Sequence, residues 1–412
     1  MSEGSSTGTL PPHLTVRRFY EGTACSERWN SCADIVSHRR PLAATAQIEL
    51  ASRVSSGLTS EFELLCACCR ASNGSLDPIE AIPSHLEWDR VLKLDARFTS
   101  HIKRVLRFSA ELAGIVRQFE DRGIKILCHK GPVLAQQLYG DPAAREFGDL
   151  DFLVRPRGVH QARAILCELG YMPRLTFSGK QEREYLRTGY EYVFGSVAEP
   201  NLIELQWQIL PRFYAIDFQS NLFFERSIKI DFEGRPVRGL CGEDLLLVLC
   251  LHAAKHGWSQ LGMVRDVAAV SGRRLDWASI LEEARRLGVL KILAISLELA
   301  QRLLGAHLPE DSTRLLSVPR DVTNILDIQR RMNRCEEIRT DSFPYFRMMM
   351  NLRERWRDRL LFAWRLAATP TLVEWQTVNL PDLLFPLHRG VRAWRLAKRG
   401  WQALIAISGK HL

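Results

Sequence analysis

Asp149 and Asp151 stand one residue apart at the head of the apolar run DLDFLV, a spacing that puts both on one face of a strand. Leu150 and Phe152 then take the other face. Two carboxylates held side by side repel, and a divalent cation between them is the simplest remedy. A third acid, Glu204, sits in LIELQWQI, where Leu202, Gln206 and Gln208 share its face and Ile203, Leu205 and Trp207 share the opposite one. A strand patterned this way offers one face to a core and one to something polar. Placed beside the first strand, Glu204 completes a three-carboxylate set able to ligate one or two Mg²⁺, with Mn²⁺ the alternative. Magnesium keeps waters and favours phosphate oxygens as co-ligands, so a nucleoside triphosphate is the guest these acids point to.

Groups for the phosphates stand nearby. In ILCHKGPVLA, Lys130 and Gly131 fall where a strand ends and a helix begins, so backbone N–H groups and the helix dipole face an anion. The glycine admits a close backbone approach. The P-loop pattern is absent. Further along, LHAAKHGWSQLGMVRDV places His252, Lys255, His256 and Ser259 at helical spacings of three and four, a cationic face suited to phosphate charge. Asp266 follows on the next helical stretch, where it either orients Lys255 or meets a nucleotide base. His252 and His256 also have the spacing of a zinc helix, but Ala253 stands where its glutamate belongs, and zinc is the poorer account. Arg145, just before the acidic pair, is assigned to an ordinary salt bridge.

These residues need elements to hold them, and the pattern predicts an α+β chain. Residues 44–122 read as helical, most clearly RVLRFSAELAGIVRQFEDRG, with Phe108, Leu112, Ile115, Val116 and Phe119 on one face and Gly123 as a stop. IKILCH (124–129) reads as a strand, GPVLAQQLYGD as a helix opened by Pro132 and closed near Gly140, DFLV as a strand, and GVHQARAILCELGY as a helix. YEYVF (190–194) and LIELQWQI (202–209) are two further strands. From Glu243 onward the pattern is helical. The expected organisation is a disordered tail at 1–40, an N-terminal helical region at 41–107, a small mixed β-sheet core flanked by helices at 108–232, and an all-helical domain at 233–412.

At 412 residues and 46% hydrophobic the chain can bury a sizeable core, and its formal charge of +9 invites an anionic partner. No run of about 18 apolar residues suggests a membrane span, and the opening MSEGSSTGTLPPHL lacks the apolar segment of a secretory signal. The ten cysteines, among them Cys66, Cys68 and Cys69, lack paired zinc spacing and read as reduced thiols, which points to a cytoplasmic setting. The Arg/Trp-rich HRGVRAWRLAKRGWQALI near the C-terminus reads as a basic amphipathic helix whose tryptophans, Trp394 and Trp401, pack on the domain while its cations reach solvent. Nucleic-acid or membrane contact is the less favoured reading.

The run KGPVLAQQLYGDPAAREFGDLDFLV, with the later IELQW and HAAKHGW...RDVA, resembles the uncharacterised nucleotidyltransferases of the polymerase-beta-like superfamily, from about residue 85 to the C-terminus. The resemblance implies that Asp149 and Asp151 bind Mg²⁺, that Glu204 binds metal or acts as base, and that the turn at Gly131 holds triphosphate. It implies transfer of a nucleoside monophosphate, with loss of pyrophosphate, to a small-molecule or a peptide or protein hydroxyl, since such proteins are often encoded near natural-product and peptide-modification gene clusters. The chain departs from the pattern at a longer glycine-to-aspartate spacing, at Lys130-Gly131 in place of Gly-Gly or Gly-Ser, at His129 where an apolar residue is expected, and at Gln206 where histidine is. Two other classes fit the same residues: a phosphotransferase using the γ-phosphate, and a non-catalytic nucleotide-binding or interaction protein.

Overall fold

The computed structural model describes residues 88–177, 179–196, 202–309, 322–333, 338–340, 342–370, 374, 378, 384 and 387–408. The tail expected at 1–40, the helical stretch expected at 44–87 and Cys66, Cys68 and Cys69 lie outside them. Helix α1 (Trp88–Asp121) buries Phe108, Leu112, Ile115, Val116 and Phe119, the stripe that its 3.6-residue period requires. Gly123, at φ 72°, ends the run into β1 (Ile126–Cys128). Helix α2 (Gly131–Tyr139) stops at Gly140, whose left-handed φ of 71° lets its N–H return to the Gln136 carbonyl. Strand β2 (Asp149–Val154), α3 (Val159–Glu168), β3 (Tyr171–Pro173), α4 (Gly179–Thr188), β4 (Glu191–Ser196) and β5 (Leu202–Gln206) complete the sheet layer.

The five strands run in the order β1-β2-β5-β4-β3, with β2 and β5 parallel and every other pair antiparallel, so the sheet is mixed as expected. Ile126, Cys128, Leu150, Phe152, Ile203 and Leu205 point to a core shared with α1 and α3. Their neighbours Leu127 and Leu153 enter a different core, built with the helices that follow. Burying each such side chain contributes about 1.5–3 kcal/mol. The second face of the sheet is therefore apolar on one flank and, along β2 and β5, acidic.

A short helix α5 (Ser220–Glu225) leads to the hairpin of β6 (Ile228–Phe232) and β7 (Arg235–Gly239). Its turn residues Glu233 and Gly234 sit at φ 53° and 75°, the double positive of a two-residue hairpin, which a glutamate disguises in the sequence. Helices α6 (Gly242–Lys255), α7 (Leu261–Ser271), α8 (Trp277–Leu287) and α9 (Leu290–Leu304) pack into one cluster with Leu127, Leu134 and Leu153. Four more follow among the described residues: α10 (Val322–Asn333), α11 (Phe343–Asn351), α12 (Trp356–Ala368) and α13 (Leu387–Ser408).

Helix α13 corrects one expectation. Its packing face carries His388 and Arg392, both buried, with Arg392 donating to the Leu366 carbonyl. Trp394, two residues on and hence about 200° around the helix, is 72% exposed instead of packed. The side chain of Trp401 lies outside the described residues. No helix among the described residues is long and apolar enough to cross a membrane.

Candidate active site

The register of β2 against β5 sets Asp149 opposite Leu202 and Asp151 opposite Glu204. Because alternate residues share a face, the three acids emerge together on the side of the sheet turned away from α1 and α3. One oxygen from each of Asp149, Asp151 and Glu204 lies within 4.8 Å of the others, close enough to share a metal ion. The Asp151 side chain has no solvent exposure, and its Oδ1 accepts from Lys130 Nζ at 2.6 Å and Gln206 Nε2 at 3.0 Å. Its Oδ2 is buried with no hydrogen-bond partner. A buried carboxylate oxygen left this way is costly, and it faces a cluster that one hard cation would satisfy.

Electrostatics agree with that geometry. Burial, then the Asp151 charge, pushes Asp149 up to about 6, and burial, then Asp151 and Glu191, pushes Glu204 up to about 9. Burial works the same way on Asp151, but Lys130 outweighs it and holds that carboxyl below its usual value. The acids are thus crowded beyond what the protein's own cations neutralise.

Lys130 and Gly131 do sit where the strand meets the helix. Gly131, buried and at φ 61°, opens α2 so close to β2 that a Cβ there would stand 3.4 Å from the Asp149 carbonyl oxygen. Lys130 is turned onto the acids, 3.9 Å from Glu204 as well as hydrogen-bonded to Asp151. His129 is buried, both its ring nitrogens lack partners, and burial pushes it down to about 4. It is neutral and fills the position of an apolar side chain. Gln206 holds the acids in place by donating to Asp151 and, at 2.8 Å, to Glu204.

The helical layer brings its cationic turn to the same place. His252 and Lys255 end α6, His256 caps it, and the two imidazoles lie 4.7 Å apart. Burial, then the charge of Lys130, holds Lys255 below the usual ammonium range, while Glu191, Glu204 and Asp151 pull it back up. Burial, then the Lys255 charge, pushes His256 down to about 4, and burial, then the Lys130 charge, holds His252 well below the usual imidazole value. Ser259 does not share this face, because the helix ends before it in a turn with Gly257 and Trp258 at φ 61° and 50°.

Asp266 has a different place from the one expected. It is buried on α7, with Oδ1 accepting from the Tyr139 hydroxyl at 2.6 Å and Oδ2 from Arg145 Nε at 2.8 Å. Neither oxygen serves Lys255. Arg145 thus makes the expected salt bridge, but across to the helical layer. Arg265 adds a hydrogen bond to the Ala144 carbonyl, and Arg273 donates to the Gln137 and Leu138 carbonyls. Helix α7 and Arg273, two residues beyond it, clamp the end of α2 and the loop that delivers β2.

Sequence reasoning missed Glu191. It opens β4 opposite Gln206, is buried beside the Tyr190 hydroxyl, and has an Oε2 without a partner. Burial above all raises its carboxyl. The signal was present in YEYVF, a charged residue inside a strand otherwise aromatic and apolar.

Mixed sheet, acid cluster and converging ammonium groups form a site whose three carboxylates could hold a metal ion. The model of a family described as an uncharacterised nucleotidyltransferase matches residues 81–305, more than half of the chain, and the chain belongs to that family. The matched span includes every residue of the site and stops before α10. No curated protein and no solved structure matches this chain.

Proposed function

We propose that the chain is a Mg²⁺-dependent nucleotidyltransferase that moves a nucleoside monophosphate from an NTP to an acceptor hydroxyl. The observation that carries this reading is the set of three carboxylates on two register-matched parallel strands, one with a buried, unpartnered oxygen, in a chain of this family. Asp149, Asp151 and Glu204 would hold Mg²⁺, with Mn²⁺ as substitute; the ion would supply positive charge against the triphosphate. The all-oxygen donor set fits either ion.

The core at 108–232 and the helical domain at 233–412 divide the work. Gly131 lets the first turn of α2 approach the phosphates, while Lys130 from one side and Lys255 from the other oppose their charge. His252 and His256, held neutral by burial, are hydrogen-bonding groups on the same wall. The acceptor oxygen attacks the α-phosphorus in line, the bond from that phosphorus to the bridging oxygen breaks, and pyrophosphate leaves with the electron pair. The acceptor proton passes to Glu204 or, where Glu204 stays a ligand, to water. Asp266 and Arg145 act indirectly by fixing the loop before Asp149. Rate enhancement comes mainly from positioning and charge neutralisation.

Calorimetric titration of each NTP with Mg²⁺ into the wild type and into Asp149→Ala/Asp151→Ala tests the site. Binding that requires both metal and aspartates is expected. Folded wild type that binds no NTP would overturn the reading, and labelled pyrophosphate as product separates nucleotidyl transfer from γ-phosphate transfer.

A further inference from the structure

A cavity of about 410 Å³ lies between α4, the turn at Arg212 and helices α12 and α13. Its walls carry Arg187, Arg212, Arg365 and Arg389, with Glu184 and Trp364. Thr188, on its wall, is two residues from Tyr190, whose ring lies 5.8 Å from Lys255 Nζ and whose carbonyl accepts from Trp207 N–H at the end of β5. Helix α4, on the cavity wall, leads into β4, and the turn at Arg212 follows β5, the strands that carry Glu191 and Glu204.

The charge of this cavity is unbalanced. Arg365 is satisfied by a bidentate pair with Asp217, both contacts at 2.7 Å. Arg187 and Arg389 share the single Glu184 at 3.8 and 3.9 Å, too long for hydrogen bonds. Arg212 spends one N–H on the Arg187 carbonyl and shares the field of Asp217 with Arg365. Among the described residues four guanidiniums thus meet two carboxylates, Glu184 and Asp217, an excess of two positive charges. That excess equals the charge of a phosphomonoester near neutral pH. Guanidinium forks match phosphate oxygens two at a time, and the exposed ring of Trp364 gives a flat surface for the carbon skeleton behind the phosphate. The cavity is open to solvent on one side, and its volume is that of a small ligand.

We infer that this cavity is the acceptor subsite and that the acceptor is a small phosphomonoester. Its phosphate docks on Arg187, Arg212 and Arg389, and a hydroxyl elsewhere on the molecule reaches the acid cluster. The assignment rests on the nucleotidyltransferase reading for its purpose, but the phosphate site itself is tested without metal or nucleotide.

The experiment is calorimetric titration of ribose 5-phosphate, with ribose as control, into the full chain in EDTA. Ribose 5-phosphate binds at least about tenfold more tightly than ribose, and Arg212→Gln/Arg389→Gln loses about tenfold or more of that affinity. The Arg→Lys pair keeps the charge but not the fork and falls between. Trp364 fluorescence changes on binding, a change absent in Trp364→Phe. Titration of Mg²⁺-ATP into the glutamine variant is unchanged, which shows that the variant is folded with its acid cluster intact. Equal affinity for ribose and its phosphate, or no effect of the arginine substitutions, overturns the inference. A 5′-phosphorylated oligonucleotide that binds more than about tenfold better than ribose 5-phosphate also overturns it, in favour of a nucleic-acid acceptor. Phosphate binding here with no Mg²⁺-NTP binding at Asp149 and Asp151 would leave this site standing and sink the reading of the other.

Discussion

Lys130 occupies ground that a divalent cation would claim, and replacing it with methionine separates two roles. Its ammonium is 2.6 Å from an Asp151 carboxylate that has no solvent exposure. Lys130→Met keeps most of the volume and leaves Asp151 with the Gln206 hydrogen bond alone. Removing one partner of a buried pair costs about 3–5 kcal/mol, so in EDTA the urea midpoint should fall by that equivalent. The deficit has a pH signature. Lys130 holds Asp151 below its usual value in the wild type, which stabilises the fold above the unfolded pKa near 3.8 and is lost as pH falls through the lower folded value. Without Lys130, burial raises that carboxyl, so the gap between variant and wild type widens from about pH 4 upward, and it narrows again above 10.5, where the unfolded lysine loses its proton and Lys130 ceases to stabilise the wild type. Mg²⁺ should then narrow it, because the ion no longer competes with an ammonium: at a hundredfold excess over its Kd it returns about 2.7 kcal/mol, and more to the variant than to the wild type. Mg²⁺-NTP, by contrast, should bind the variant more weakly, since a phosphate partner is gone. The reasoning is refuted by a variant as stable as wild type in EDTA, or by equal Mg²⁺ stabilisation of both proteins.

Mg²⁺ binding should release close to one proton at pH 7, because Glu204 is pushed up to about 9 while Asp149, at about 6, is already mostly ionised. Calorimetry in phosphate and Tris buffers checks this, and identical heats would contradict it. Raised carboxyls also stabilise the metal-free fold only at low pH, so its stability should decline as pH climbs from about 4.5 towards 9, and saturating Mg²⁺ should flatten the decline. Asp266→Asn keeps the shape but strands Arg145, with an expected loss of about 3–5 kcal/mol and a weakened NTP affinity; unchanged melting would show that the clamp on the loop before β2 is idle. Gly131→Ala places a side chain at φ 61° and 3.4 Å from the Asp149 carbonyl, for about 1–2 kcal/mol of strain. NTP binding should fall more than stability does.

The sequence spoke most clearly where a single period carried the information. The stripe of α1, the glycine that stops α2 and the alternation of LIELQWQI all translate directly into burial, and the alternation alone places Glu204 and Gln206 on one face. It was silent where partners are remote. Helix α4 buries only Tyr185, so GKQEREYLRT has no apolar stripe to read, and β3 is three residues at the sheet edge. Asp266 illustrates the limit best. Its place on a helix after the cationic turn was readable, but its partners Tyr139 and Arg145 are more than a hundred residues away, and no local pattern announces them. Glu191 showed as a charge within an apolar and aromatic strand, but its link to the other acids comes only from the pairing of β4 with β5.

Charge balance explains why the site needs both layers of the molecule. Asp149, Asp151, Glu204 and Glu191 set four carboxyl groups against Lys130 and Lys255, while His252 and His256 are held neutral and Arg145 is spent on Asp266. Fully ionised, the cluster would carry an excess of two negative charges, the complement of one divalent cation. The protein alone relieves part of that excess by keeping Glu204 protonated. A triphosphate could not enter such a pocket unaided, because its charge has the same sign as the cluster. It becomes a fitting guest only when a cation covers the acids and Lys255 faces it from α6. On the proposed reading the sheet would supply the metal ligands and the helical layer the counter-charge. Asp266, by tying α7 to the loop that leads into Asp149, sets the spacing between the two.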